Sequence, residues 1–98
     1  MKQAEILKQA QQIQKKLSEV MASTRAQAAS GGGMVKALSD GNGVIIELTI
    51  EEEIIESQDK TMLEDLVLAA VNEARRKAQE AAREEAKKII GIPLPGLF

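Results

Sequence analysis

Any chemistry in this chain has to come from Lys, Arg, Asp and Glu, because its 98 residues include no His, Cys, Trp or Tyr and its single Phe is residue 98. Without His the commonest general base and metal ligand is missing, and without Cys there is no thiolate nucleophile, zinc–thiolate site or disulfide. Glu51-Glu52-Glu53 supplies adjacent carboxylates. Acid–base catalysis by paired carboxylates needs burial or a neighbour to separate their pKa values, and a polar acidic run offers neither. Gly31-Gly32-Gly33 could in principle cradle a phosphate, but a phosphate loop follows a strand and opens a helix, whereas this run follows a helical pattern and precedes a strand-like one. It therefore reads as structural. An enzyme, a cofactor, a metal site and a small-molecule substrate are all disfavoured.

The basic residues remain. Lys2, Lys8, Lys15, Lys16 and Arg25 lie in the first helical stretch against only Glu5 and Glu19. A second cluster, Arg75, Arg76, Lys77, Arg83, Lys87 and Lys88, is interleaved with acids: Glu73 lies three and four residues before Arg76 and Lys77, and Glu84 three and four before Lys87 and Lys88. Helical spacing of that kind compensates charge locally. The first helix is thus the clearer electrostatic footprint for nucleic acid. Along the chain, residues 1–36 carry six Lys/Arg against two Glu, residues 37–66 one against nine acids, and residues 67–98 six against four, a basic–acidic–basic order hidden by the net charge of −2. With no stacking aromatics, readers of single strands or RNA by base stacking are disfavoured.

The elements that position these groups can be read from periodicity. From the N-terminus to residue 29, Ile6, Ala10, Ile13, Leu17, Val20 and Thr24 recur at spacings that keep one stripe on one face, widened by Leu7, Met21 and Ala28, which predicts a long amphipathic helix. Lys8 and Lys15, seven apart, point away from the stripe. Ser30-Gly31-Gly32-Gly33 is expected to end the helix. Strand-like runs follow at Met34–Ser39 and Val44–Ile50, joined by Asp40-Gly41-Asn42-Gly43, whose Asp-Gly and Asn-Gly pairs signal a hairpin centred on either Gly41-Asn42 or Asn42-Gly43. In either register Val35, Ala37, Val44, Ile46, Leu48 and Ile50 are expected to share the core face.

The segment Glu51–Ile55 is predicted as a short turn or a brief return to the sheet. A second helix is predicted over 58–90, with Thr61-x-x-Glu64 as a capping box and Gly91 and Pro93 as its stop. Its inner face is expected to hold Leu63, Leu66, Val67, Ala70, Val71, Ala74, Ala78, Ala81 and Ala82. Residues 34–57 then form a β-hairpin and turn, and the apolar tail 91–98 is expected to pack down or fray. The whole is one domain, 1–98, of the α+β class: α-β-β-(β)-α with a small antiparallel sheet. So small a sheet and core favour association into a homodimer. No apolar run is long enough to span a bilayer and the first residues lack the apolar core of a signal peptide, so a cytoplasmic location with no membrane partner is expected.

Four blocks in order resemble the YbaB/EbfC family of bacterial nucleoid-associated proteins: Leu7-Lys8-Gln9-Ala10-Gln11-Gln12-Ile13-Gln14, the Gly31–Lys36 junction, Met62–Ala74, and Leu94-Pro95-Gly96-Leu97-Phe98. The resemblance implies a tweezer-like homodimer, with sheets and second helices as the body and the N-terminal helices projecting. It implies binding to double-stranded DNA in the nucleoid, changes in DNA conformation and a role in gene regulation. Carried onto this chain, the implied contacts come chiefly from Lys8 and Lys15 and from Arg75 and Arg76, with Lys2, Lys16 and Arg25 as further candidates. Two departures, the absence of a glycine-rich lead-in and Glu51-Glu52-Glu53 where members often carry Asp-Pro, imply weaker DNA affinity. The alternative reading is a protein–protein module docking a partner helix on the stripe or on the alanine-rich second helix.

Overall fold

The computed structural model describes residues 2–91. Helix α1 (Lys2–Ser23) leads into a three-stranded antiparallel sheet, β1 (Arg25–Ser30), β2 (Val35–Asp40) and β3 (Ile45–Ile50), in spatial order β1-β2-β3; a five-residue helix α2 (Glu52–Glu56) and the long helix α3 (Lys60–Ile90) follow. The architecture is α-β-β-β-α, and the predicted α+β class with a small antiparallel sheet is what is seen. Residue 1 and the tail expected over 92–98 lie outside the described residues.

The third strand comes before the glycines rather than after the hairpin. Residues 25–29 were expected to continue the first helix, and Ala26, Ala28 and Ala29 do have high helix propensity. Instead the segment pairs with β2, Ala28 opposite Ala37 and Ser30 opposite Val35. Pairing and burial override propensity here. Thr24 marks the end of α1 by turning its Oγ1 back onto the Val20 carbonyl at 2.6 Å. Gly31, Gly32 and Gly33, with φ of 58°, 66° and 93°, form the β1–β2 turn, so they serve as a hairpin connection and not as a helix stop.

At the β2–β3 turn the Gly43 N–H donates to the Asp40 carbonyl, placing Gly41-Asn42 at the centre, while Asp40 Oδ1 accepts from the N–H groups of Asn42 and Val44. Val35 faces Ile50 and Ala37 faces Leu48, but a bulge between Leu38 and Ser39 sets Ile45 opposite Ser39. The alternation therefore breaks, and Val44 and Ile46, expected in the core, are exposed. Leu48 is also exposed, because α3 lies over β1 and β2 and leaves β3 uncovered.

Glu51-Glu52-Glu53 opens α2, neither a turn alone nor a strand; Ile54 is buried beneath it and Ile55 exposed. Carboxylates in a first helical turn suit the positive end of the peptide dipoles. The cap of α3 is Asp59, whose side chain accepts from the Met62 N–H at 3.0 Å, so Thr61 lies inside the helix and the expected capping box is not used. At the other end Gly91, at φ 72°, donates its N–H to the Lys87 carbonyl at 2.9 Å.

Ala70, Ala74, Ala78, Ala82 and Ala86 are all buried, an i+4 row along α3; Ala81 is exposed, and Ala86 takes the place expected for it. Such a row drifts around the helix by about 40° per step, since four residues overshoot one turn of 3.6. Its first part meets the sheet in a core of Ala28, Val35, Ala37, Ala70 and Ala74, flanked by Ile50, Leu63, Leu66, Val67 and Val71. Its later part faces the end of α1, where Ala82 and Met21 close on Gly41. Small residues on both sides let the backbones approach. Ser30 Oγ donates to the Leu66 carbonyl at 2.6 Å and ties β1 to α3.

Candidate nucleic-acid interface

α1 meets the body only near its end. Leu17, Val20 and Met21 are half-buried, whereas residues 2–16 are exposed throughout. α3 rises about 46 Å over its 31 residues. The molecule is 67 Å long and 22 Å across. With α1 anchored beside Ala82 through Met21, its residues 2–16 stand free of the body.

The cations on this free part are Lys2, Lys8, Lys15 and Lys16. All four are exposed, and none forms an ion pair among the described residues. Lys8 and Lys15 are two turns apart on one face, about 10 Å along the axis. That face is opposite the Ile6–Ile13–Leu17 stripe. Four Lys against Glu5 and Glu19 leave the helix with a formal charge of +2, distant from the acidic α2.

The other expected contacts sit elsewhere. Arg25 is not on the helix but opens β1, and its Nη1 donates to the carbonyls of Ala22 at 2.7 Å and Thr24 at 3.0 Å. It caps the C-terminus of α1, where cations and free carbonyls complement each other. Arg76 pairs with Glu73 at 2.6 Å and with Glu80 at 2.8 Å. The Glu73 hydrogen bond and charge raise the Arg76 pKa above its ordinary value, and the Arg76 hydrogen bond lowers that of Glu73. Arg75, the neighbour of Arg76, has no ion pair among the described residues; its guanidinium lies against the β2–β3 turn, with Nε 3.3 Å from where a Cβ on Gly43 would stand. Lys77 donates to the Gln27 carbonyl at 3.1 Å, while Lys87 and Lys88 pair with Glu84 and Glu85. The structure thus brings Lys2, Lys8, Lys15 and Lys16 together on one rod and separates Arg25, Arg75 and Arg76 from them. The second acid on Arg76, Glu80, follows it by four residues and could have been read from the same helical spacing.

No group of three His, Cys, Asp or Glu among the described residues is placed to hold a metal ion. One open hollow of about 70 Å³ lies on the sheet face away from α3, lined by Gln27, Lys36, Ala37, Leu38, Glu47 and Thr49. A second, about 170 Å³, lies between α2 and the start of α3. No helix among the described residues is long and apolar enough to cross a membrane.

An exposed lysine rod on a small α+β body is decided by comparison with known sequences, for residues 1–92 match the model of the YbaB/EbfC DNA-binding family. The chain belongs to that family. Relatives include nucleoid-associated protein TTE0040 of Caldanaerobacter subterraneus subsp. tengcongensis, 44% identical over 97 residues that cover 95% of this chain and 87% of that protein. Nucleoid-associated protein THEYE_A1069 of Thermodesulfovibrio yellowstonii is 47% identical over 97 residues, covering 95% and 85%. A nucleoid-associated protein of Chloroflexus aurantiacus aligns over the full length of both chains at 37% identity. The crystal structure of the uncharacterized protein HP0035 from Helicobacter pylori superposes with a TM-score of 0.74 at 25% identity, covering 90% of this chain and 92% of that one. The family is described by DNA binding and not by a catalytic activity, and the relatives named above are nucleoid-associated proteins.

Proposed function

We propose that this YbaB/EbfC protein binds double-stranded DNA as a homodimer through its phosphate backbone, with little sequence preference, and so alters DNA conformation and influences gene expression in the nucleoid. The supporting observation is α1: a projecting helix whose Lys2, Lys8, Lys15 and Lys16 are exposed and unpaired among the described residues, whereas Arg76, Lys87 and Lys88 of α3 are tied to neighbouring acids. Lysines at phosphates release counterions and position the protein without reading bases. Two protomers present two such rods, which can straddle a duplex.

The homodimer is supported by β3, an edge strand with Ile46 and Leu48 exposed and the exposed Val44 just before it. An uncovered apolar edge of this kind invites pairing with a second copy.

The test is fluorescence anisotropy of a labelled random-sequence duplex titrated with protein at several salt concentrations. Four to eight phosphate contacts give a slope of log K against log salt on the order of −4 to −7. Lys8→Glu with Lys15→Glu weakens binding and flattens the slope while the oligomeric state stays the same. A flat salt dependence, or a double variant that binds as the parent does, rejects α1 as the contact surface.

A further inference from the structure

The tip of the β2–β3 turn holds a pair of residues with chemistry of its own. Asn42 is exposed there and Gly43 follows it. Asparagine is a thermolabile residue, and before a glycine its side chain cyclises most readily, because the next backbone nitrogen then carries no Cβ to shield it and its dihedrals are free. The chain has one other asparagine, Asn72, also exposed, but it stands inside α3 and is followed by Glu73. There the backbone nitrogen is held in the helical ladder.

The reaction needs only water as co-reactant. The Gly43 nitrogen gives up its proton and attacks Asn42 Cγ; a C–N bond forms, the side-chain amide leaves as ammonia, and a five-membered succinimide remains. Water opens the ring at one carbonyl to give aspartate, or at the other to give isoaspartate, whose main chain runs through the side-chain methylene. Both products exchange a neutral amide for a carboxylate and add one negative charge to a formal net charge of −2. The new charge stands one residue from Gly43, against which the Arg75 guanidinium lies.

The turn restrains this step. The Gly43 N–H donates to the Asp40 carbonyl at 3.1 Å, and Asp40 Oδ1 accepts from the N–H groups of Asn42 and Val44, both at 2.9 Å. A nitrogen held in that bond keeps its proton, so cyclisation waits on local opening of the turn. Isoaspartate, once formed, lengthens the main chain between Asn42 and Gly43, beside Gly41, whose N–H donates to the Met21 carbonyl and anchors α1.

We propose that Asn42 is a site of spontaneous deamidation through attack by the Gly43 nitrogen, and that Asp40 restrains the reaction by keeping the turn closed. This holds whether or not α1 contacts DNA.

The folded chain, incubated in warm neutral buffer and digested with trypsin, reports the site, because cleavage after Lys36, Lys60 and Arg75 separates Asn42 in peptide 37–60 from Asn72 in peptide 61–75. Peptide 37–60 gains the mass of an amide-to-acid exchange and resolves into aspartate and isoaspartate forms, while 61–75 stays unchanged; Asn42→Ser removes the gain. No gain in 37–60, or an equal gain in 61–75, overturns the assignment. Asp40→Ala removes two hydrogen bonds to a carboxylate and speeds the exchange about ten-fold, the factor that one such bond is worth. The unsubstituted chain unfolded in urea also reacts faster than the folded chain. An unchanged rate in Asp40→Ala, or a folded chain that reacts as fast as the unfolded one, overturns the restraint.

Discussion

The Gly41 N–H donates to the Met21 carbonyl at 2.8 Å, and this bond fastens the end of α1 to the β2–β3 turn. A Cβ at Gly41 would stand 2.7 Å from the Met21 oxygen and 2.8 Å from Ala82 Cβ, so the contact exists only with glycine. It sets where α1 leaves the body.

Gly41→Ala is accordingly expected to cost about 1–3 kcal/mol, the usual range for forcing an extra methyl into a closed contact. Two of the three clashing atoms are backbone and cannot rotate away. Urea unfolding followed by circular dichroism measures the loss, and an unshifted midpoint contradicts the close approach.

At the start of α3 the two candidate caps make opposite predictions. Asp59→Ala removes the acceptor for the Met62 N–H and should destabilise by about 1 kcal/mol. Thr61→Ala, an exposed residue within the helix, should be neutral to within about 0.5 kcal/mol. Thermal melts of both variants side by side decide it, and the reverse order would restore the capping box as the operative start signal.

Arg25 should behave as a helix cap and not as a DNA contact. Arg25→Ala frees two carbonyls at the end of α1 and is expected to lower helicity there by an amount of about 0.5–1 kcal/mol. DNA affinity should fall less than it does in a Lys8→Ala variant. Equal losses in anisotropy titrations would place Arg25 on the duplex.

Acid should weaken α3 through Glu73. Its folded pKa is lowered below the ordinary 4.5, chiefly by the Arg76 hydrogen bond. The unfolded chain therefore binds more protons in that window, so the pair's contribution is complete above pH 4.5 and fades as pH falls through the lowered folded value. Both partners are exposed, so the effect is modest and screened by salt. Glu73→Gln should lie slightly below the parent at neutral pH and converge with it in acid. Parallel stability curves from pH 3 to 7 would show that the pair contributes nothing.

Much of the candidate site was legible in the sequence. The separation of basic and acidic segments, and the compensation of Arg76 by Glu73, follow from residue type and helical spacing, which depend only on neighbours in sequence. Arg25 was misplaced for a local reason. Ala26, Ala28 and Ala29 favour a helix, and nothing within the segment states that it will pair with β2. A signal was present in the alternation of Arg25, Gln27 and Ala29 with Ala26, Ala28 and Ser30, but small alanines carry little contrast between faces.

The sequence by itself determined the absence of histidine and thiol chemistry, the alanine row of the last helix, the Asp40–Gly43 turn and the blocks that resemble the YbaB/EbfC family, because each is a matter of composition or short-range spacing. Only the tertiary structure decided that residues 25–30 are a strand, that a bulge turns Val44 and Ile46 outward, that Asp59 caps α3 and that Arg25 serves α1. The strand and the bulge depend on backbone pairing between segments 5 to 15 residues apart, which outweighs local preferences worth a fraction of a kilocalorie each. Asp59 and Arg25, by contrast, bond groups only one to three residues away and take those roles once the helix ends are set.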